Sequence, residues 1–95
     1  MKIRRLVLDV DKAMARPSLI EIARAIQSIP NVEGVNVTVN SIDIETVGTE
    51  VTIEGKDLDY EAIVKEIEST GAVVHSIDQI ASGDRIIENV ERRRS

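Results

Sequence analysis

Apolar residues along this chain switch between two rhythms, and the switches mark its elements. From Arg4 to Asp11, Leu6, Leu8 and Val10 alternate with Arg5, Val7, Asp9 and Asp11. That period of two is the mark of a half-buried strand, with the first set facing a core and the second facing outward. After a loop at Lys12–Pro17 the period lengthens. Leu19, Ile22, Ala23 and Ile26 form one helical stripe, and Ser18 with Glu21 has capping-box spacing. Pro30 cannot continue that helix. Val35, Val37 and Val39 then return to alternation, with a phase slip before Ile42 and Ile44 that predicts a bulge or bend near Ser41. Gly48 reads as the turn region, and Val51 with Ile53 as the third strand of a hairpin.

A second helix follows Asp59, a good N-cap, with Leu58 and Ile63 spaced as a hydrophobic staple and Tyr60, Ile63, Val64 and Ile67 as its apolar face. Glu61 and Lys65 form a favourable i,i+4 pair. Gly71 is placed to end the helix in the left-handed conformation. Ala72 to Ile80 reads as the last strand. The order β-α-β-β-α-β, with right-handed crossovers, implies an α+β, ferredoxin-like sandwich. Its four-stranded antiparallel sheet has order 4-1-3-2, with both helices on one face. Residues 1–83 make the domain. Residues 84–95 make a C-terminal extension whose Ile86, Ile87 and Val90 have no assigned core.

Composition changes this picture in a few places. At 95 residues the chain is one small domain with a modest core, a size at which oligomerisation is a common supplement. Tyr60 is the sole aromatic residue, so aliphatic side chains build the core. The absence of cysteine excludes disulfides, thiolate metal sites and cysteine nucleophiles. A net charge of -5 argues against nucleic acid as a partner, because phosphate binding needs a basic face. RNA recognition would also need strand aromatics where this chain has Val, Asp and Thr. No membrane-length apolar run or signal peptide is visible, so the expected location is the cytoplasm. High charge with no cysteine and little glutamine matches a thermophile's composition. The cluster Arg92, Arg93 and Arg94 reads as a solvated terminus.

The candidate chemistry lies on the uncovered sheet face. Asp9 and Asp11 are two apart on one strand, so they share a face at roughly 7 Å. The end of that strand lies beside the starts of strands three and four, which brings Glu50 and, with it, His75 or Ser76 toward the same edge. With Val73 and Ile77 in the core, Ser76 and Asp78 would join Asp9, and Asp78 could meet Arg5. Asp9, Asp11, Glu50 and Asp78 are therefore the candidate ligands for a hard cation, Ca2+ or Mg2+. A lone histidine has no second soft ligand to support a transition-metal site. Met14 stands where metallochaperones of this fold carry paired cysteines, so soft-metal transport is not expected. Arg16 with Asn36 or Asn40 invites comparison with acylphosphatase, but that family's glycine-rich signature does not appear. Dinucleotide and P-loop fingerprints are absent too.

Several blocks together resemble a known family. They are Val7-Leu8-Asp9, Val32-Glu33-Gly34-Val35-Asn36, Val51-Thr52-Ile53-Glu54-Gly55, Asp57-Leu58-Asp59-Tyr60 and His75-Ser76-Ile77-Asp78. In this order they are similar to small archaeal proteins grouped as domain-of-unknown-function family two-one-one. The resemblance spans Arg4 to about Gly83. It implies a ferredoxin-like fold, a homo-oligomer that could close into a ring, and a divalent-cation site, with no established activity. The first loop, Lys12–Pro17, departs from the family pattern.

Three functions follow as expectations. The leading one is a non-catalytic homo-oligomeric module for a ligand or divalent cation, with the chain itself as partner. The alternative is an ACT-like regulatory domain that binds an amino acid beside the first loop, although the usual loop glycine is missing. The third, carboxylate catalysis at Asp9, Asp11 and Asp78, would need a buried pair with one raised pKa.

Overall fold

The computed structural model describes residues 1–90. Its elements run β1 (Ile3–Ala13), α1 (Leu19–Gln27), β2 (Val32–Ile42), β3 (Thr46–Gly55), α2 (Tyr60–Ser69) and β4 (Val73–Ser82). The strands form one antiparallel sheet of order β2-β3-β1-β4, which is 4-1-3-2 read from the other edge. The fold is therefore the ferredoxin-like βαββαβ arrangement implied by the pattern. Among the described residues, no helix is long and apolar enough to cross a membrane.

The core follows from the alternation. Leu6, Leu8 and Val10 on β1 and Val51 and Ile53 on β3 are fully buried, as are Ile22 and Ile26 on α1 and Ile63 and Ile67 on α2. Four elements thus meet in one aliphatic layer, with Val32, Val35, Val37, Tyr60 and Val74 packed at its margin.

The helix starts form as their sequences dictate. Ser18 Oγ accepts from the Glu21 amide at 3.1 Å, and Glu21 Oε1 accepts from the Ser18 amide at 3.1 Å. This reciprocal pair satisfies two first-turn donors. The hydrogen bond from the Ser18 backbone, chiefly, holds the Glu21 carboxyl below its ordinary pKa. Ser18→Ala is expected to cost about 1 kcal/mol, read as a lower urea midpoint at unchanged slope. At α2, Asp59 Oδ1 accepts from the Ala62 amide at 3.1 Å, and Leu58 is buried beside Ile63. Gly71 follows α2 with φ +102°, the left-handed stop its position required.

Three local readings need correction. Gly48 is not the turn. The β2–β3 loop is Asp43–Glu45, with Ile44 at its tip 90% exposed, and Gly48 lies inside β3. Its glycine answers the bulge instead. The register steps from Val39↔Thr49 to Ser41↔Gly48, so Asn40 is the extra residue, next to the expected Ser41. A Cβ on Gly48 would collide with Ser41 Oγ and lie 3.1 Å from Asn40 Oδ1. Second, β1 runs on through Lys12 to Ala13. Lys12 is buried, and its ammonium donates to the carbonyls of Ala13 and Met14 at 3.0 and 3.2 Å. Its aliphatic stem is apolar and only its head needs partners, so it extends the inward-facing row.

The third correction concerns β4. Val73 is not core: it is 55% exposed, and Val74 packs against the core instead. The register explains why. Val74, Ile77 and Ile80 oppose the inward residues Val10, Leu8 and Leu6, a spacing of three. Strict alternation cannot produce it. Pairing skips one residue in each gap, so His75 and Asp78 are bulge residues.

Candidate functional site

The uncovered face of the sheet is built by register. Arg5, Val7, Asp9 and Asp11 alternate with the buried row of β1, so they point away from the helices. Their partners on β3 are Glu54, Thr52, Glu50 and Gly48. Beyond β3 the same rows continue through Asn36 and Thr38, opposite Thr52 and Glu50. On the other side Asp9 opposes Ser76 and Val7 opposes Gln79. One row across the sheet therefore reads Thr38, Glu50, Asp9, Ser76.

This row brings together most of the residues singled out by sequence. Asp9 and Glu50 are direct cross-strand neighbours. Such pairs sit with Cβ atoms roughly 4.5–5.5 Å apart, and like charges there repel. His75 Nδ1 lies 3.5 Å from Asp9 Oδ2, close enough to offset that repulsion when the imidazole is protonated. Asp78 accepts from Ser76 Oγ at 3.0 Å, which holds it at the rim of the same face. Asp11 lies one row further on, with Asp11 Oδ1 3.7 Å from the point a Gly48 Cβ would occupy. There it shares the surface above Gly48 with Asn40 and Ser41, two oxygen-bearing side chains that the sequence did not mark as cation ligands. The bulge that puts them there was the available signal.

Asp78 does not meet Arg5. Arg5 Nε donates to Glu54 Oε2 at 2.7 Å and Arg5 Nη1 donates to Glu88 Oε1 at 2.8 Å, with Gln79 Oε1 at 3.4 Å. These two carboxylates, Glu88 first, hold the guanidinium well above its ordinary pKa, and Arg5 in turn lowers that of Glu88. The Glu54 contact was readable, since Glu54 lies directly across β3 from Arg5. The Glu88 contact was not, because 83 residues separate the two. It brings the segment after β4 back to the sheet. Gly83, at φ +119°, donates to the Lys2 carbonyl at 2.8 Å, and Arg4 Nη1 donates to the Asp84 carbonyl at 2.8 Å. Ile86 is half-buried there, while Ile87 and Val90 are exposed. The expectation for Arg92–Arg94 lies outside the described residues.

Among the described residues, no three of His, Asp and Glu converge closely enough to hold a metal ion. One chain offers a carboxylate pair with hydroxyl and amide oxygens around it. Chemically that is an oxygen-rich surface with affinity for a hard cation once further ligands arrive. A separate groove of about 610 Å³ opens on the helix side. It is lined by Ile3, Leu6, Leu58, Tyr60, Ile77 and Ile80 among others.

Comparison with known proteins agrees with the family that the sequence blocks resemble. The profile of the DUF211 family, described as "Uncharacterized ArCR", matches residues 4–95. An uncharacterized protein of Methanocaldococcus jannaschii is 47% identical over 88 residues, covering 93% of this chain and 90% of that protein. A match across nearly the whole length on both counts leaves one conclusion: the chain belongs to the DUF211 family.

Proposed function

We propose that this protein is a non-catalytic, homo-oligomeric module. Its open sheet face takes a hard divalent cation, Ca2+ or Mg2+, with the coordination completed by a neighbouring copy. The observation that carries the reading is the Asp9–Glu50 pair. Two carboxylates face each other across β1 and β3 on a face that no helix covers. Leaving them there unneutralised costs stability, and a cation removes that cost. The flanking donors are oxygens from Thr38 and Ser76, with Asp11 one row further along β1 and Asp78 hydrogen-bonded to Ser76, a set suited to Ca2+ or Mg2+ rather than to a softer metal. One chain falls short of the six to eight oxygens that Ca2+ takes, which motivates the second copy. An amino-acid site beside the first loop, the ACT-like alternative, gains no support from the 610 Å³ groove, which opens at the opposite end of β1.

Calorimetric titration with CaCl2 and MgCl2, run beside light scattering, tests this. Wild-type protein is expected to bind with a dissociation constant below about 1 mM, within the range of extracellular and sensor calcium sites. Asp9→Asn with Glu50→Gln should weaken it by at least about tenfold, or 1.4 kcal/mol. Equal heats from wild type and variant, or none from either, would sink the cation site.

A further inference from the structure

The two edges of this sheet are built differently. β4 is protected. Its pairing with β1 skips His75 and Asp78, so the strand is bent twice and carries a titratable side chain at each bend. Bulges and charges are the usual devices that stop an edge from pairing with another chain. β2 has neither over most of its length. From Gly34 to Val39 it runs in unbroken register with β3, and that stretch, Gly-Val-Asn-Val-Thr-Val, contains no charge and no proline. Among the described residues no strand lies beyond it. Its outward amides and carbonyls therefore form a ready template.

The same stretch is complementary to itself. In an antiparallel pair centred on Val37, Val37 meets Val37 of the second copy, Val35 meets Val39, and Asn36 meets Thr38. The valines extend the aliphatic layer on the helix side, where Val39 is 39% exposed in one chain. The Asn36 and Thr38 side chains, already hydrogen-bonded to each other along the strand at 2.5 Å, provide donor and acceptor on the open side. Other registers fare worse. Centring the pair on Asn36 sets Val39 against Glu33. Centring it between two residues puts valines opposite polar side chains and mixes the faces.

We propose that the β2 edge is a docking surface for a second copy of this chain, β2 against β2, antiparallel about Val37, giving a continuous eight-stranded sheet. The inference rests on the homo-oligomer reading above and names its contact. It also joins the open faces of two copies into one surface, on which the Thr38–Glu50–Asp9 row of one copy runs into the Asn36–Thr52–Val7 row of the other.

Because the chain has no cysteine, engineered pairs report the register directly. Asn36→Cys and Thr38→Cys proteins, mixed, allowed to exchange and mildly oxidised, are expected to give a covalent dimer several times more abundant than either gives alone. Val39→Asp, which places two carboxylates in the joined aliphatic layer, should weaken the assembly by about a hundredfold in light scattering. Val73→Asp on the β4 edge should leave it unchanged. Circular dichroism confirms that each variant is folded, and the cysteine mixture stands even if Val39→Asp does not fold. A monomeric wild type would remove both this contact and the homo-oligomer reading. A wild-type oligomer without preferential cross-linking in the mixture, or one dissolved by Val73→Asp, would overturn the β2 contact alone.

Discussion

Leu8→Ala is expected to lower stability by about 3 kcal/mol, within the 2–5 kcal/mol that buried leucine truncations cost. Leu8 has no solvent exposure and sits on β1, one of the two inner strands of the sheet, opposite Val51 and Ile77. It belongs to the same buried cluster as Leu6 and Val10 on its strand, Ile22 and Ile26 on α1, and Ile63 and Ile67 on α2. Ladder hydrogen bonds to β3 and β4 hold β1 in place on both sides, so the site cannot collapse fully and a cavity remains. For a domain of this size roughly 4–8 °C of Tm is lost per kcal/mol, so the melting point should fall by about 12–24 °C. Thermal denaturation by circular dichroism reads it. The neighbouring Val7→Ala provides the contrast, because Val7 lies on the uncovered face and is half-buried in the single chain. Equal losses for the two would mean that the face taken here as open is packed as tightly as the core.

The parts of this architecture that were legible share one property: regular spacing. β1 from Arg5 onward, α1 and α2 each repeat a single period without interruption, and the helix caps at Ser18 and Asp59 sit where side-chain oxygens can reach first-turn amides. The phase slip at Ser41 was also readable, because one extra residue shifts every later side chain by one face. β4 was harder for the same reason applied twice. Two bulges in one strand convert alternation into Val74, Ile77, Ile80, and a period of three on its own reads as easily as helix. The premise that Val73 is core fails there, and with it the Asp78–Arg5 contact. Gly48 was misplaced because glycine has two uses. It permits a turn, and it also makes room for a neighbour, here the Asn40–Ser41 bulge. The site divides along the same line. Asp9, Asp11 and Glu50 follow from strand register, which is local. The Arg5–Glu88 bond depends on where the chain returns after β4, and no period encodes that.

Gly55→Ala is expected to be the most damaging single-methyl addition on this chain's glycines, and its cause is backbone rather than side chain. Gly55 closes β3 opposite Val32, directly beneath the α1–β2 loop. A Cβ there would overlap the Asn31 carbonyl oxygen and come within 2.7 Å of Leu58 Cδ2. Leucine can change rotamer; the carbonyl cannot move alone. Asn31 is a non-glycine residue already held at φ 72°, and it leads straight into β2, so shifting its carbonyl drags the start of that strand. The cost should fall at the upper end of the roughly 1–3 kcal/mol typical of overpacking. Gly34→Ala, by contrast, adds a methyl with nothing within 4 Å at a position with no positive φ. It should be neutral or slightly stabilising, since alanine restricts the unfolded chain. Chemical denaturation of the two variants separates these outcomes. Asn31→Gly in the Gly55→Ala background sharpens the assignment. It removes the asparagine side chain and eases the left-handed backbone but keeps the carbonyl, so it should restore little. A large rescue would show that the obstacle is the Asn31 side chain or its conformation, and that the crowding beneath the loop is not what requires glycine at 55.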